Sequence, residues 1–271
     1  ASDGSIWFVE LPRGCVSRNA DGERRVVADL GGSPNGAKFA GDGTLYVANG
    51  GGNWPPTPPT GMRPGLGDAT PCLQALAPDG TVSTLVTRID GVSLNAPNDL
   101  CLDRHGNVYF TDPAWAPRDA NGVASADASP PGSICYYGAD GSARRLHTGL
   151  LFPNGIQLDA AGKRLFVAET GTGDIHAFPV VAPGRIGEPT IFCRLGVDSG
   201  VDGMCLDRDG RLLVAGCGSG TVFVIEPDGT LAEKLEFQDR SLTNLCFGTG
   251  DPHLLYVTAA WSGTLVCTRR E

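Results

Sequence analysis

Five polar residues recur at the same place in a repeated sequence pattern, and their side chains could together hold a cation. They supply three amide oxygens, one carboxylate and one hydroxyl, from Asn35, Asn98, Asn154, Asp202 and Thr243. Hard oxygen ligands of this kind suit calcium, magnesium or manganese. Any one of these residues alone is better explained as a turn residue, because Asn and Asp tolerate left-handed backbone. Their recurrence at equivalent positions is what points to a shared site.

The residues that position these side chains form a repeated unit. Each unit has an apolar strand, a tight turn containing glycine and a second apolar strand, which is a hairpin. The copies begin at 33–39, 96–102, 152–158, 200–206 and 242–247. A third strand led by glycine and a polar fourth strand follow, as in 220–230. Four antiparallel strands in roughly 45 to 60 residues predict a propeller blade, because the apolar spacing is two or continuous and never 3.6.

The beginning of the chain is part of a sixth copy. Residues 3–9 match the turn and the second strand of the repeat, so the first blade is incomplete as the sequence is printed. We therefore predict an all-β fold, a six-bladed β-propeller with four antiparallel strands per blade, as a single domain over residues 1–271. In such a fold the turn that enters each first strand faces the central channel. The five polar residues would then converge on one point.

Composition excludes several classes of function. The net charge is −9 and the basic residues are scattered, whereas binding to nucleic acid needs clustered positive charge. No apolar run approaches the roughly 18 residues of a membrane span, and no signal segment precedes Asp3. The nine cysteines form no CxxC pair. We interpret them as small buried hydrophobic residues of a protein in the reducing cytoplasm.

An ordered series of motifs resembles one known family. The motifs are Pro97-Asn98-Asp99, Tyr109-Phe110-Thr111-Asp112-Pro113, Pro153-Asn154-Gly155-Ile156, Asp202-Gly203-Met204 and Cys246-Phe247-Gly248. Together they make the chain similar to the senescence-marker-protein, gluconolactonase and luciferin-regenerating-enzyme family over essentially its whole length. That family is a six-bladed propeller with one divalent cation in the channel, held by a Glu, an Asn and an Asp.

The resemblance implies roles for particular residues. Asn154 and Asp202 would be metal ligands. Asn98 would belong to the same metal site, near the metal-bound water or the substrate, and Asp99 would contact the substrate. Calcium is the cation that the resemblance favours, and magnesium, manganese and zinc are the alternatives. The family's Glu would fall upstream of Ala1, so either the full protein contains it or this member has lost it. We expect the natural protein to extend beyond Ala1. Glu10 is not a substitute, since the repeat places it at the far end of a second strand.

Two insertions bear on the substrate. Segments 50–71 and 114–132 exceed the blade average, and long loops commonly shape pockets. Trp54 and Trp115 would line an apolar substrate-binding pocket together with Met62. Animal members of the family that act on sugar lactones carry an Arg where this chain has Ala96, which disfavours a polyhydroxylated lactone.

These inferences predict a lactonase, a metal-dependent hydrolase that opens a small-molecule lactone. The cation would polarise the carbonyl and bind the attacking water, and Asp202 or a neighbouring carboxylate would take the proton, with Asp202 and Asn98 as the catalytic residues. A serine mechanism is disfavoured, because there is no Gly-x-Ser-x-Gly motif and the four His residues are placed at turns or strand ends.

Asp112 and Glu169 lie at the ends of second strands. Each could either cap its strand or contribute to the pocket, and the sequence favours neither role. The alternatives are a non-catalytic binding propeller and a lyase-like enzyme on the same scaffold, and the oligomeric state stays open.

Overall fold

The computed structural model describes residues 1, 3–52, 69–114 and 131–270. Over these residues the chain forms six small antiparallel sheets and a two-stranded ribbon. Helix is confined to two short 3-10 turns, Leu11–Arg13 and Val197–Ser199. No helix in this part of the chain is long and apolar enough to cross a membrane. The fold is a six-bladed β-propeller, which confirms the architecture predicted from the repeats.

Contacts group the chain into two compact units. The amino-terminal unit is Ser5–Phe152, and the carboxy-terminal unit is Ala1–Gly4 with Pro153–Glu271. The single domain expected from the sequence stays a prediction.

The amino-terminal unit contains the first three sheets and the ribbon. The first sheet has the strands β1 (Ile6–Glu10), β2 (Cys15–Ala20) and β3 (Glu23–Asp29). The second sheet has β4 (Pro34–Phe39), β5 (Leu45–Asn49), β6 (Cys72–Leu76) and β7 (Val82–Val86). The ribbon pairs β8 (Arg88–Ile89) with β9 (Val92–Ser93). The third sheet has β10 (Leu100–Leu102), β11 (Val108–Asp112), β12 (Gly132–Tyr137) and β13 (Ala143–Leu150).

The carboxy-terminal unit contains the other three sheets. The fourth has β14 (Pro153–Leu158), β15 (Arg164–Glu169), β16 (Asp174–Ala182), β17 (Arg185–Ile186) and β18 (Thr190–Arg194). The fifth has β19 (Val201–Leu206), β20 (Leu212–Gly216), β21 (Thr221–Ile225) and β22 (Leu231–Glu236). The sixth has β23 (Leu242–Phe247), β24 (Leu254–Ala259) and β25 (Thr264–Arg269). The first and sixth sheets thus have three strands each, as their partial repeats predict.

Apolar residues on both faces of the strands hold neighbouring sheets together within each unit. In β20, Leu212 and Val214 pack in a core shared with the fourth sheet. Leu213 and Ala215 of the same strand pack in the core shared with the sixth sheet. A strand buried on both faces is apolar at consecutive positions, which explains the continuous apolar runs of the repeat. This packing fixes the first strand of each sheet, which carries the predicted site residues.

The cysteines are free thiols. Six of them are buried, in agreement with the interpretation as small hydrophobic core residues. Three are exposed, Cys217, Cys246 and Cys267, and for these that interpretation is wrong. Cys246 and Cys267 flank Tyr256 across β23, β24 and β25, on a sheet that has three strands in the described part of the chain.

Candidate functional site

The predicted site residues lie at a recurring break in the pairing of the first strand. The register shifts at Asn35 in β4, Asn154 in β14, Asp202 in β19 and Thr243 in β23. The predicted location in the turn before the strand is wrong for these four, because each strand begins directly before the residue. A bulge releases a residue from the ladder and re-aims its side chain, and bulges are common beside active sites.

Asn98 is the exception, because it precedes its strand. Its backbone N–H donates to the carbonyl of Thr111 at 2.9 Å, and the N–H of Thr111 donates to the carbonyl of Asp99 at 3.0 Å. The strand β10 begins at Leu100. Pairing with β11 therefore fixes Asn98 even though the residue lies outside the strand.

The structure brings Asn154 and Asp202 together. Both belong to the carboxy-terminal unit, and their strands β14 and β19 lie side by side. A Cβ on Gly155 would overlap the backbone carbonyl of Asp202 and lie 2.9 Å from the Cα of Gly203. Only glycine at position 155 permits this approach, since real Cβ atoms do not come so close. The glycine that follows Asn154 in the sequence therefore has a packing role.

Thr170 links the two strands and orients the amide of Asn154. The Nδ2 of Asn154 donates to Thr170 Oγ1 at 3.2 Å, and that hydroxyl donates to the carbonyl of Val201 at 2.6 Å. Asn154 is buried. The bond to Thr170 thus fixes which way the side-chain amide faces, with its nitrogen directed to Thr170. Thr170 was missed by the sequence reasoning, which considered only the first strands.

The strands β19 and β23 of the fifth and sixth sheets also approach each other closely at a glycine. A Cβ on Gly203 would lie 2.5 Å from Asn244 Oδ1, which accepts a hydrogen bond from Leu245 N at 2.9 Å. The hydroxyl of Thr243 shares a hydrogen bond of 2.9 Å with that of Thr258. The side chain of Thr243 is therefore engaged within its own sheet.

Asn98 and Asp99 lie in the amino-terminal unit, beside the bulge of β4. The N–H of Gly36 donates to the carbonyl of Asn98 at 2.6 Å, and a Cβ on Gly36 would lie 2.5 Å from Asp99 Oδ1. Both side chains are buried. Asp99 Oδ1 accepts the N–H of Leu100 at 2.9 Å, so part of this carboxylate stabilises the local backbone. The substrate contact predicted for Asp99 stays a prediction.

Glu169, which is buried, and His176, which is partly buried, form a pair that the sequence reasoning missed. His176 Nε2 lies 2.8 Å from Glu169 Oε2, which also accepts the hydroxyl of Thr172 at 2.8 Å. The strand-end position expected for His176 is wrong, because the residue lies inside β16. The hairpin between β15 and β16 brings the two side chains together, which no short motif encodes. The capping role left open for Glu169 is consistent with these bonds.

Glu10 is held by basic and polar neighbours. Its carboxylate accepts Arg24 Nη2 at 2.6 Å, lies 3.7 Å from Arg13 Nη1 and accepts the hydroxyl of Ser17. These contacts lower the pKa of Glu10 against the effect of its partial burial.

The pocket predicted from the two insertions cannot be placed on the structure. Its expected lining residues lie outside the described residues, namely Trp54, Trp115 and Met62.

The residues at β14 and β19 fit a hard divalent cation as two of its ligands. The amide oxygen of Asn154 and the carboxylate of Asp202 are the oxygen donors that calcium and magnesium prefer. Within the described ranges no group of three or more His, Cys, Asp or Glu side chains is placed to hold a metal ion.

Comparison with known proteins gives one family for the chain. The family model described as SMP-30/Gluconolactonase/LRE-like region matches residues 1–261. Diisopropyl-fluorophosphatase of Loligo vulgaris is 32% identical over 164 residues, which are 58% of this chain and 52% of that protein. Gluconolactonase of Zymomonas mobilis is 27% identical over 202 residues, 69% of this chain and 54% of that protein. The chain thus spans about half the length of these curated relatives.

A solved structure shows the same fold. The gluconolactonase XC5397 of Xanthomonas campestris superposes with a TM-score of 0.75 at 26% identity, covering 94% of this chain and 79% of that one. The likeness extends over nearly all of the chain.

Proposed function

The chain belongs to the SMP-30/gluconolactonase/LRE-like family, and from this membership and the arrangement of Asn154 and Asp202 we propose that it hydrolyses a lactone. The observation that carries the proposal is the close approach of β14 and β19, which joins an amide oxygen donor and a carboxylate in one unit. Relatives named for lactone hydrolysis support it.

We infer that Asn154 and Asp202 are ligands of a divalent cation, and calcium is the candidate we favour. When bound, such a cation supplies a Lewis acid that polarises a carbonyl and acidifies water. Thr170 orients the Asn154 amide, so the ligand oxygen is set before a cation arrives. Pre-set ligands reduce the entropy lost on binding.

Asp202 would act as the general base. It accepts a proton from the attacking water as the water oxygen bonds to the carbonyl carbon, and it returns that proton to the ring oxygen as the C–O bond breaks. The product is a hydroxy acid, and every atom of the water is retained in it. A substrate-binding role for Asn98 and Asp99 is carried over from the family motif.

The substrate we propose is a lactone with few hydroxyl groups. Ala96 is buried and offers no side-chain donor where sugar-lactone members of the family have an Arg. A site that lacks a donor does not discriminate in favour of a hydroxylated substrate. The cytoplasmic location inferred from the cysteines stays a prediction.

A second candidate is hydrolysis of a phosphorus–fluorine bond. It is favoured by the 32% identity to diisopropyl-fluorophosphatase. The same donors would serve it, because water attack at phosphorus also develops charge on an oxygen that a cation stabilises.

The test follows acid release from aliphatic, aromatic and sugar lactones and from diisopropyl fluorophosphate, with and without chelator. Asp202→Asn should abolish turnover, whereas Asp198→Asn, an exposed carboxylate of the same unit, should not. Running the reaction in ¹⁸O-water separates hydrolysis from elimination, since only hydrolysis puts the label in the product carboxylate. Turnover of none of these compounds would favour a binding propeller, and turnover without label a lyase.

A further inference from the structure

The carboxylate of Asp112 holds the backbone that leads into Asn98. Asp112 is the last residue of β11 and is 2% exposed. Its Oδ1 accepts the N–H of Asn95 at 2.9 Å and the N–H of Ala96 at 2.9 Å. Its Oδ2 lies 3.2 Å from the same N–H of Asn95. A buried side chain therefore satisfies two consecutive backbone donors directly before Pro97 and Asn98.

Thr111 completes the arrangement. Its carbonyl accepts the N–H of Asn98 at 2.9 Å, and its hydroxyl accepts the N–H of Asp99 at 3.1 Å. Pro97 has no N–H to satisfy. The end of β11 thus accepts every backbone donor from residue 95 to residue 99. The segment before Leu100 is not part of a strand. These hydrogen bonds therefore fix its backbone, and with it the position of the Asn98 Cα.

The preceding sheet contains a neutral version of the same arrangement. Asn49 ends β5, and its Oδ1 accepts the N–H of Ser33, directly before Pro34 and Asn35, at 2.9 Å. Asn49 Oδ1 also accepts the N–H of Gly51 at 2.9 Å, so a neutral amide oxygen can hold two backbone donors. Asp112 Oδ1 likewise holds two, but both belong to the segment directly before Pro97. The charge of Asp112 strengthens these two bonds, since hydrogen bonds to an ionised acceptor are stronger than those to a neutral one.

Two titratable groups face Asp112 from the neighbouring strands. Arg145 of β13 places Nη2 4.0 Å from Asp112 Oδ2 and donates to the carbonyls of Ile89 and Ser93 in the ribbon. Cys135 of β12 is buried beside it, and burial raises the pKa of that thiol, so it stays neutral. Burial raises the pKa of Asp112 to about 6, against the opposing effect of the Ala96 and Asn95 N–H groups and of Arg145. Protonation of Oδ2 would remove its contact with the N–H of Asn95 and the negative charge that strengthens the two bonds to Oδ1.

We propose that Asp112 is a positioning residue that acts through Asn98, and that it holds Asn98 in place for substrate binding more firmly when its carboxylate is ionised. This inference rests on the proposed function in one respect, that Asn98 contacts the substrate. The hydrogen bonds from Asp112 to the backbone of residues 95 and 96 do not depend on that function, and they can be measured without substrate.

The first experiment follows the backbone of residues 95 to 98 directly and does not depend on catalytic activity. Amide resonances of Asn95, Ala96 and Asn98 in the full chain should titrate together with a midpoint near pH 6, and Asp112→Asn should remove that titration. Asp103→Asn is the matched control, because Asp103 accepts the N–H groups of His105 and Asn107 at the other end of β10. Resonances that do not titrate, or that titrate unchanged in Asp112→Asn, would overturn the proposal.

The second experiment measures the consequence for catalysis. Asp112→Asn should raise KM by about tenfold or more with a smaller change in kcat, and should remove the acid limb near pH 6. In the Asn98→Ala background, Asp112→Asn should have little further effect, because the two residues act as a unit. Asp103→Asn should keep both KM and the acid limb. Additive effects of the two substitutions would overturn the action through Asn98, whereas wild-type protein that turns over no lactone contradicts only the proposed function.

Discussion

The side-chain amide of Asn154 donates a hydrogen bond of 3.2 Å to the hydroxyl of Thr170, the residue directly after the neighbouring strand β15. That hydroxyl in turn donates to the carbonyl of Val201, the residue before Asp202. One side chain thus connects the two proposed metal ligands. Its loss should affect cation binding before it affects the fold.

Thr170→Val keeps the shape of the side chain and removes the hydroxyl. We expect the affinity for calcium to fall by about tenfold, because ligand-orienting partners typically contribute that much. Titration calorimetry on chelator-treated protein measures the change. Thr170→Ser restores the hydroxyl and should bind as the wild type does. Equal affinity in Thr170→Val would contradict the orienting role.

Gly155→Ala should destabilise the carboxy-terminal unit. The added methyl group would overlap the carbonyl of Asp202, and relieving such an overlap costs about 1–3 kcal/mol. Urea unfolding measures the free energy of unfolding. Gly250→Ala is the control, since a Cβ there meets open space. A stability equal to that of the control would show that β14 and β19 are not so close.

His176→Ala should lower stability by about 1–3 kcal/mol, because it removes a hydrogen-bonding partner from the buried carboxylate of Glu169. Thr172 remains as a partner, which limits the loss. His105→Ala, at an exposed turn, should change stability by less than about 0.5 kcal/mol. Unfolding curves of the two variants give the comparison, and an equal effect would contradict a role for the pair.

The pH dependence of stability should carry a contribution from Asp112. Its folded pKa of about 6 lies above the ordinary value of 3.8, so the folded state binds more protons than the unfolded state between these values. The stability that Asp112 contributes is then present below about pH 4 and is lost as pH rises through 6. Asp112→Asn should flatten that part of the profile, and Asp103→Asn should not. A profile unchanged by Asp112→Asn would contradict the raised pKa.

The repeats were sufficient to predict the fold because strand spacing and turn residues are local properties. They placed Asn154 and Asp202 at equivalent positions, and the structure brings the two together. The bulges were not predictable, since register depends on which residues pair across strands. The partners of Asp112 are likewise backbone groups of a neighbouring segment, which no side-chain pattern reveals. Trp54 and Trp115 stay predictions.

Calcium binding to the chelator-treated full chain, measured by titration calorimetry for the wild type, Asp202→Asn and Asp198→Asn, tests the central claim most directly. The account predicts saturable binding for the wild type and for Asp198→Asn, with affinity reduced by about tenfold or more in Asp202→Asn. Equal affinity in all three proteins, or no binding of calcium, magnesium or manganese to the wild type, would contradict it.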